Sequence, residues 1–304
     1  MRVLEAGRMS EPWAFLNGKW LPQSQAKLTL HDAGFVMGAT VTDLARTYGG
    51  VLYRWPDHQA RFHESCRAAH IELRSTADAI AALANELAQR NFAGTELCLV
   101  AFATPGAIGF YLGEPGTVGE GEPTFGMHTF PLPVERFRRT IAEGSTLMIP
   151  SVRAVAAACV DPKIKQRSRM HWWLADCEAR QRGPGAQALL LDEDGFVTET
   201  AAANLVAVKG QALKTPRRSK VLPGISLKAL GEICCREGIV LEEADLTFDE
   251  VLKADELLLT STPYGLAGVN RLESQEYPYP GPMFRRLRDA WSGTLGRDLH
   301  ADFA

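Results

Sequence analysis

The stretch Leu222-Pro223-Gly224-Ile225-Ser226 reads as a turn that runs into a helix. Ser226 is expected to N-cap that helix, which continues to Arg236 and stops at Gly238. A helix start presents N–H groups that lack intrahelical acceptors, and its dipole favours an anion, so a phosphate fits there. Gly224 lets the backbone approach such a group closely, and the Ser226 hydroxyl can donate as well. A plain capped helix carries the same letters. Two residues upstream, Lys165 and Glu199, give the turn a chemical context.

Lys165 lies just before an aromatic-rich helical segment, Met170-His171-Trp172-Trp173. A lysine amine is a nucleophile only when neutral, a state favoured by apolar walls or a neighbouring cation. Joined to an aldehyde as an imine, it is released when a substrate amine displaces it, and can then shuttle a proton. Lys163 competes with it on these grounds. Glu199 follows Phe196-Val197-Thr198 on an expected strand, and alone it reads as an exposed strand-end carboxylate. Beside a pyridine nitrogen, however, a carboxylate favours the pyridinium form, which is a strong electron sink. Lys165, Glu199 and the turn together look like a site for pyridoxal 5′-phosphate. Arg61 and Thr262 are candidates to complete a phosphate shell, Arg61 through a charge-assisted hydrogen bond.

Other chemistries find less support. No GxSxG elbow, HExxH or GxxxxGK[ST] motif occurs. His58, His63, His70, His128 and His171 lack metal-ligand spacing, so no metal is expected, and His58 and His171 read as structural.

The 304 residues, 46% of them apolar, suit two domains with separate cores. The formal charge is −3 and the charged residues are well mixed, so no nucleic-acid partner is expected. Six cysteines form no CxxC pair and are expected to be buried thiols in a reducing compartment. The stretch from Met1 to Trp13 lacks the apolar centre of a secretory leader. No run approaches the length needed to span a bilayer. A cytoplasmic location without a membrane partner is the expectation.

Ala14 to Leu21 reads as a β-hairpin turned by Asn17-Gly18, and Val41 to Tyr53 as strand broken at Gly49-Gly50. A helix is expected from Pro56, and a second from Thr76 to Arg90 with Ser75 as its cap. Glu96 to Phe102 reads as a buried strand, and the glycine-rich stretch Pro105 to Gly126 as a lid or interface loop. Phe130-Pro131-Leu132-Pro133 is the expected domain boundary, its prolines stiffening the connector and interrupting regular pairing, with domains of 1–131 and 132–304. Beyond it, Met170 to Arg182 is helical, and Ala186 to Leu191 pairs with Phe196 to Glu199. Leu205 to Lys209 and Ala212 to Thr215 form a hairpin. Thr247 and Glu250 make a capping box, Glu256 to Thr260 is a buried strand, and Phe284, Leu287, Trp291 and Leu295 mark a final amphipathic helix.

At this level the chain resembles the class IV aminotransferases of pyridoxal-phosphate fold type IV. The likeness appears in Asp32-Ala33-Gly34 with Gly38, in Asp57-His58-Gln59-Ala60-Arg61, and at Lys165. It continues through Glu178-Ala179, Val197-Thr198-Glu199 with Asn204, Leu222 to Ser226, and Ala254-Asp255-Glu256 to Ser261-Thr262. The resemblance implies an α+β, two-domain fold like that of D-amino acid aminotransferase, with a smaller α/β N-terminal domain and a larger strand-rich C-terminal domain. It implies a cofactor between the domains and a homodimer that shares residues across its interface. By that likeness Lys165 carries the Schiff base and Glu199 meets the pyridine nitrogen. Arg61, Ile225, Ser226 and Thr262 hold phosphate, and Leu222 packs on the ring.

The departures from the family concern substrate. The strand Leu99 to Thr104 lacks the arginine that some members use for a substrate carboxylate, and Pro263 removes a backbone N–H that branched-chain members aim at it. Thr42 stands where an aromatic residue is common, and Leu227 where an arginine is. Arg46, Arg153, Arg167 and Arg169 are candidate replacements. The expected reaction is transamination between an amino acid or amine and a 2-keto acid. A lyase of the aminodeoxychorismate type and a non-catalytic cofactor-binding relative are the alternatives. Ser261-Thr262 favours the transaminase over the lyase, and the retained lysine, glutamate and phosphate turn argue against a binding protein.

Overall fold

The computed structural model describes residues 11–113 and 122–304. The readings of the first ten residues and of the middle of the glycine-rich stretch therefore lie outside the described residues. The chain divides into two compact units, Met1–Leu132 and Pro133–Ala304.

In the first unit, strands β1 (Trp13–Leu16) and β2 (Lys19–Pro22) pair with Leu16 opposite Lys19. Asn17 and Gly18 form the turn at φ 47° and 81°, as type I′ geometry requires. Helix α1 (Ala33–Val36) is capped by Asp32, whose Oδ1 accepts from Gly34 N–H at 2.7 Å and whose Oδ2 accepts from Thr124 Oγ1 at 2.8 Å. Strands β3 (Val41–Tyr48) and β4 (Val51–Leu52) flank Gly49-Gly50. Helices α2 (Trp55–Ala68) and α3 (Ala77–Asn91) follow, then β5 (Leu97–Thr104) and β6 (Thr124–Pro131). The strands form one antiparallel sheet of order β2-β1-β6-β5-β3-β4. Against it α2 and α3 bury Phe62, Ile80 and Leu87.

Two expectations for this unit are corrected. The cap of α3 is Thr76 rather than Ser75: Thr76 is extended and its Oγ1 accepts from Ala79 N–H at 3.2 Å. Pro131 does not interrupt pairing but ends β6 opposite Leu97, where a strand terminus can do without a donor.

The second unit opens with α4 (Val134–Glu143), β7 (Ser145–Met148) and α5 (Met170–Arg182). Next come β8 (Gln187–Leu191), β9 (Val197–Thr200), β10 (Asn204–Lys209) and β11 (Ala212–Pro216). Helix α6 (Ile225–Arg236), β12 (Leu241–Ala244), α7 (Phe248–Leu252) and β13 (Glu256–Ser261) follow. The chain ends with β14 (Gly265–Leu272), β15 (Gln275–Glu276) and α8 (Pro282–Leu295). The sheet order is β12-β11-β10-β13-β14-β7-β8-β9, and β9 pairs back onto β10. That last pairing closes β10, β13, β14, β7, β8 and β9 into a ring. One hydrophobic cluster, including Leu147, Leu189, Val197, Leu205, Leu257 and Val269, draws on every strand of the ring and fills it. On the alternate face of β8, Ala188 and Leu190 meet Ala175 and Ala179 of α5.

No sequence expectation covers α4, β7, β12 or β14. Helix α4 is short and rich in charge, with only Val134, Phe137 and Ile141 on its apolar face, while β14 contains glycines that are poor strand formers. Gly268 is required there because a Cβ would meet the Tyr279 ring at 2.5 Å. The expectation of buried thiols holds for Cys66, Cys98 and Cys234 but not for Cys159 and Cys235, which are exposed. Adjacent helical positions point about 100° apart, so Cys234 and Cys235 cannot share one environment. Among the described residues no helix is long and apolar enough to cross a membrane.

Helix α8 packs on β13 and β14, and its start is tied by Glu256. This carboxylate is only 4% exposed and accepts from the N–H groups of Met283 (2.7 Å) and Phe284 (2.9 Å). Gly281, the N-cap, has no side chain to do so. Glu256→Ala is expected to cost about 2 kcal/mol by orphaning both donors. Urea unfolding tests this, and a change within experimental scatter contradicts it.

Candidate cofactor site

Glu199 stands where the ring closes. Its register partner is Asn204, the first residue of β10, and the pair Asn204↔Glu199 joins the two strands. Asn204 Nδ2 donates to Glu199 Oε2 at 2.9 Å and to the Leu222 carbonyl at 2.9 Å. The Leu222 N–H donates to Glu199 Oε1 at 3.1 Å. Both carboxylate oxygens are therefore held, one by a strand and one by the turn. A Cβ at Gly224 would lie 2.0 Å from Asn204 Oδ1, so only glycine lets the turn rest on this amide.

The N-cap of α6 is Gly224, not Ser226 as expected from the sequence, and it makes no side-chain cap bond. Ser226 is the second helical residue, and it and Ile225 are buried. A serine placed inside the first turn, with glycine outside it, leaves the terminal N–H groups to a bound anion. This arrangement suits a phosphate better than a self-capped helix does.

Two further segments converge on the turn between β9 and β10. Arg169, at the end of the loop carrying Lys165, donates from Nη2 to the Ala201 carbonyl. Ser261, which precedes Thr262, donates from Oγ to the Ala202 carbonyl at 2.6 Å. Thr262 is half-buried in the turn that follows β13. Lys165 is half-buried, whereas Lys163 is exposed, with its N–H engaged locally by Asp161 Oδ1 at 2.9 Å. The structure thus joins Glu199, Leu222 and the start of α6 by direct bonds. The segments bearing Lys165 and Thr262 are fastened to the turn beside them.

This donor set fits a phosphorylated aldehyde with a basic ring nitrogen: an amine, an oriented carboxylate and an uncapped helix start. Thr260, across from Asn204 in β13, adds a buried Oγ1 without a hydrogen-bond partner among the described residues.

Arg61 belongs to the first unit and is 6% exposed. Its Nε and Nη2 each lie 2.8 Å from an oxygen of Asp43, and His58 Nδ1 lies 2.7 Å from Asp43 Oδ1. Burial pushes the Asp43 carboxyl up, but the Arg61 guanidinium and His58 outweigh it and hold Asp43 well below the usual carboxylate range. Sequence reasoning finds Arg61 and His58 but misses Asp43. The available signal is an acid, Asp43, three residues before Arg46 inside one expected strand, β3. Arg46 is sealed in the same strand, fully buried, with Nε donating to the Thr47 carbonyl and its guanidinium 4.0 Å from the Tyr48 ring centre.

A sequence profile described as amino-transferase class IV matches residues 40–272. A Methanocaldococcus jannaschii protein bearing a branched-chain-amino-acid aminotransferase name is 28% identical, over 86% of this chain and 88% of its own length. The D-alanine aminotransferase of Bacillus licheniformis is 24% identical, over 92% of this chain and 95% of its own. Among solved structures, an aminotransferase from Brucella abortus bound to the cofactor PLP superposes with a TM-score of 0.79 at 22% identity. That match covers 93% of this chain and 98% of its own.

The Asp43 cluster makes a measurable prediction. Asp43→Asn leaves the buried Arg61 charge uncompensated and is expected to destabilise the protein by about 3–5 kcal/mol at neutral pH. A carboxylate with a depressed folded pKa stabilises the protein above its unfolded value of about 4 and loses that contribution as pH falls through the folded value. The gap between wild type and variant should therefore hold from pH 8 to about pH 4 and narrow only in stronger acid. Denaturant melts across that range check it, and a gap that shrinks between about pH 8 and pH 5 contradicts the assignment.

Proposed function

Because this chain belongs to the class IV amino-transferase family, it is a pyridoxal-phosphate-dependent transaminase, and we propose that Lys165 is its catalytic lysine. The reaction moves an amino group from an amino acid or amine to a 2-keto acid in two half-reactions. The observation that carries this reading is the Glu199 carboxylate, held on both oxygens by Asn204 and Leu222 beside the uncapped start of α6.

The bound cofactor supplies an aldehyde for amine exchange and a ring that accepts electrons. Lys165 would hold the cofactor through Nζ and, once freed by the incoming amine, would carry the proton that leaves the substrate Cα. Glu199 would hold the proton on the ring nitrogen, with Asn204 and the Leu222 N–H keeping the carboxylate from turning away. Ile225, Ser226 and Thr262 would hold the phosphate, and Leu222 would pack on the ring.

Substrate carboxylate recognition falls to Arg169 in this reading. Pro263 has no N–H, and the Tyr264 N–H is engaged by the Ser261 carbonyl at 3.3 Å, so the turn after β13 offers neither amide. Arg46 is enclosed in its own sheet. Arg169 instead bonds the Ala201 carbonyl just past Glu199 and feels the Glu199 charge. The chain also works as a homodimer in this reading. Support comes from the exposed Leu30, Phe35 and Met37 near Phe110 and Tyr111, which the Asp32–Ala107 bridge brings together in the first unit.

Lys165→Ala is expected to lower turnover by at least about 1000-fold, and Lys163→Ala by no more than about threefold. Stopped-flow half-reactions with an amino donor measure both, and the reverse pattern overturns the assignment. Arg169→Met is expected to raise KM for 2-keto acids by about 10–100-fold while kcat changes little, the mark of lost uniform binding. Unchanged KM values across monocarboxylic and dicarboxylic keto acids contradict the role given to Arg169.

A further inference from the structure

Just before the Leu222 turn, the chain carries Arg217-Arg218-Ser219-Lys220, whose charges the cofactor chemistry does not use. Lys220 is the inward member. Its Nζ lies 2.7 Å from Asp192 Oδ2, 3.1 Å from Asp245 Oδ1 and 4.5 Å from the Phe196 ring centre. Its side chain is 25% exposed and that of Asp192 only 12%. Partial burial opposes the ammonium charge, but hydrogen bonds to Asp192 and Asp245 outweigh it and raise Lys220 above an ordinary lysine.

Each partner leads back to the cofactor cradle. Asp192 Oδ1 accepts from the N–H groups of Asp194 (3.1 Å) and Phe196 (2.8 Å), so the same carboxylate that binds Lys220 shapes the turn from which β9 departs. Three residues past Phe196, that strand presents Glu199. On the other side, Val221 is buried and Leu222 is bonded to both Glu199 and Asn204. One ammonium therefore joins the two chain segments whose relative register brings the Glu199 carboxylate against the Leu222 N–H. Arg217 steadies Asp245 from outside at 2.7 Å, whereas Arg218 pairs with Glu243 at 2.7 Å and touches neither segment.

We propose that Lys220 is a positioning residue for cofactor retention: its bridge to Asp192 and Asp245, over Phe196, clamps the phosphate turn to the strand that carries Glu199. This rests on the assignment of that turn to pyridoxal phosphate. The clamp acts on how long the cofactor stays, not on proton transfer, because Lys220 touches neither of the cofactor-facing groups of Glu199 or Ser226. It also explains why a turn without its own side-chain cap can stay in place.

The test compares the full-length holoenzyme with Lys220→Met, Lys220→Arg and Arg218→Ala. The cofactor release rate is read from loss of bound absorbance after dilution into a trap. Lys220→Met is expected to speed release about tenfold, with Lys220→Arg and Arg218→Ala within about threefold of wild type. At saturating cofactor, kcat stays within about threefold, and the melting temperature of the cofactor-free chain does not move. Asp192→Asn provides a second route to the same release phenotype if Lys220→Met expresses poorly. Release from Lys220→Met at the wild-type rate, or equal acceleration by Arg218→Ala, overturns the clamp. Wild type that binds no pyridoxal phosphate overturns the site assignment, and the clamp with it.

Discussion

Closing a sheet into a ring removes its exposed edges, and here the closure and the proposed cofactor chemistry meet at one residue pair. The backbone pairing of β9 with β10 is brief, so the Asn204 side chain completes it. A primary amide has two N–H donors, and Asn204 spends them on Glu199 and on the Leu222 carbonyl. Its oxygen in turn lies where a side chain at Gly224 would have to be. An aspartate would set a second carboxylate against Glu199, and a glutamine would carry its amide one carbon too far. The identity of position 204 thus fixes the carboxylate, the turn and the glycine together.

Charge is used differently at different depths. Asp43, His58 and Arg61 are almost wholly buried, and their mutual satisfaction is a condition for burying them at all. Lys220 and its carboxylates sit at intermediate depth, where an ion cluster orients segments without a large desolvation cost. Pairs such as Glu86–Arg90 and Asp249–Lys253 lie exposed along single helices and contribute only a few tenths of a kcal/mol.

What is legible in the sequence follows local physics. The Asn17-Gly18 hairpin, the Pro56 helix start and the Thr247–Glu250 capping box each depend on a few adjacent residues, and each is present. The cap of α6 is misread because the local rule prefers Ser226, two residues on, to Gly224. The outcome depends on Asn204, earlier in the chain, which leaves room only for glycine. Asp43 and Lys220 escape notice for the same reason, since their partners lie on other strands, helices and turns. Strand β14 is hidden because Gly268 makes room for the distant Tyr279 ring and Gly265 for Leu299, at the expense of strand propensity.

The same distinction separates cofactor from substrate. In the proposed site the cofactor is met by backbone groups and by a carboxylate locked into sheet closure, features that the fold itself imposes. The substrate must be met by whatever side chains line the remaining space. In the turn Thr262-Pro263-Tyr264, proline removes one amide and Ser261 takes the next, while Tyr264 is 4% exposed and its hydroxyl is pushed up by burial. A turn so fully engaged in its own packing is a poor reader of ligands. In the proposed reading, recognition then falls to Arg169 on the Lys165 loop, whose planar guanidinium matches a carboxylate as a single backbone amide does not.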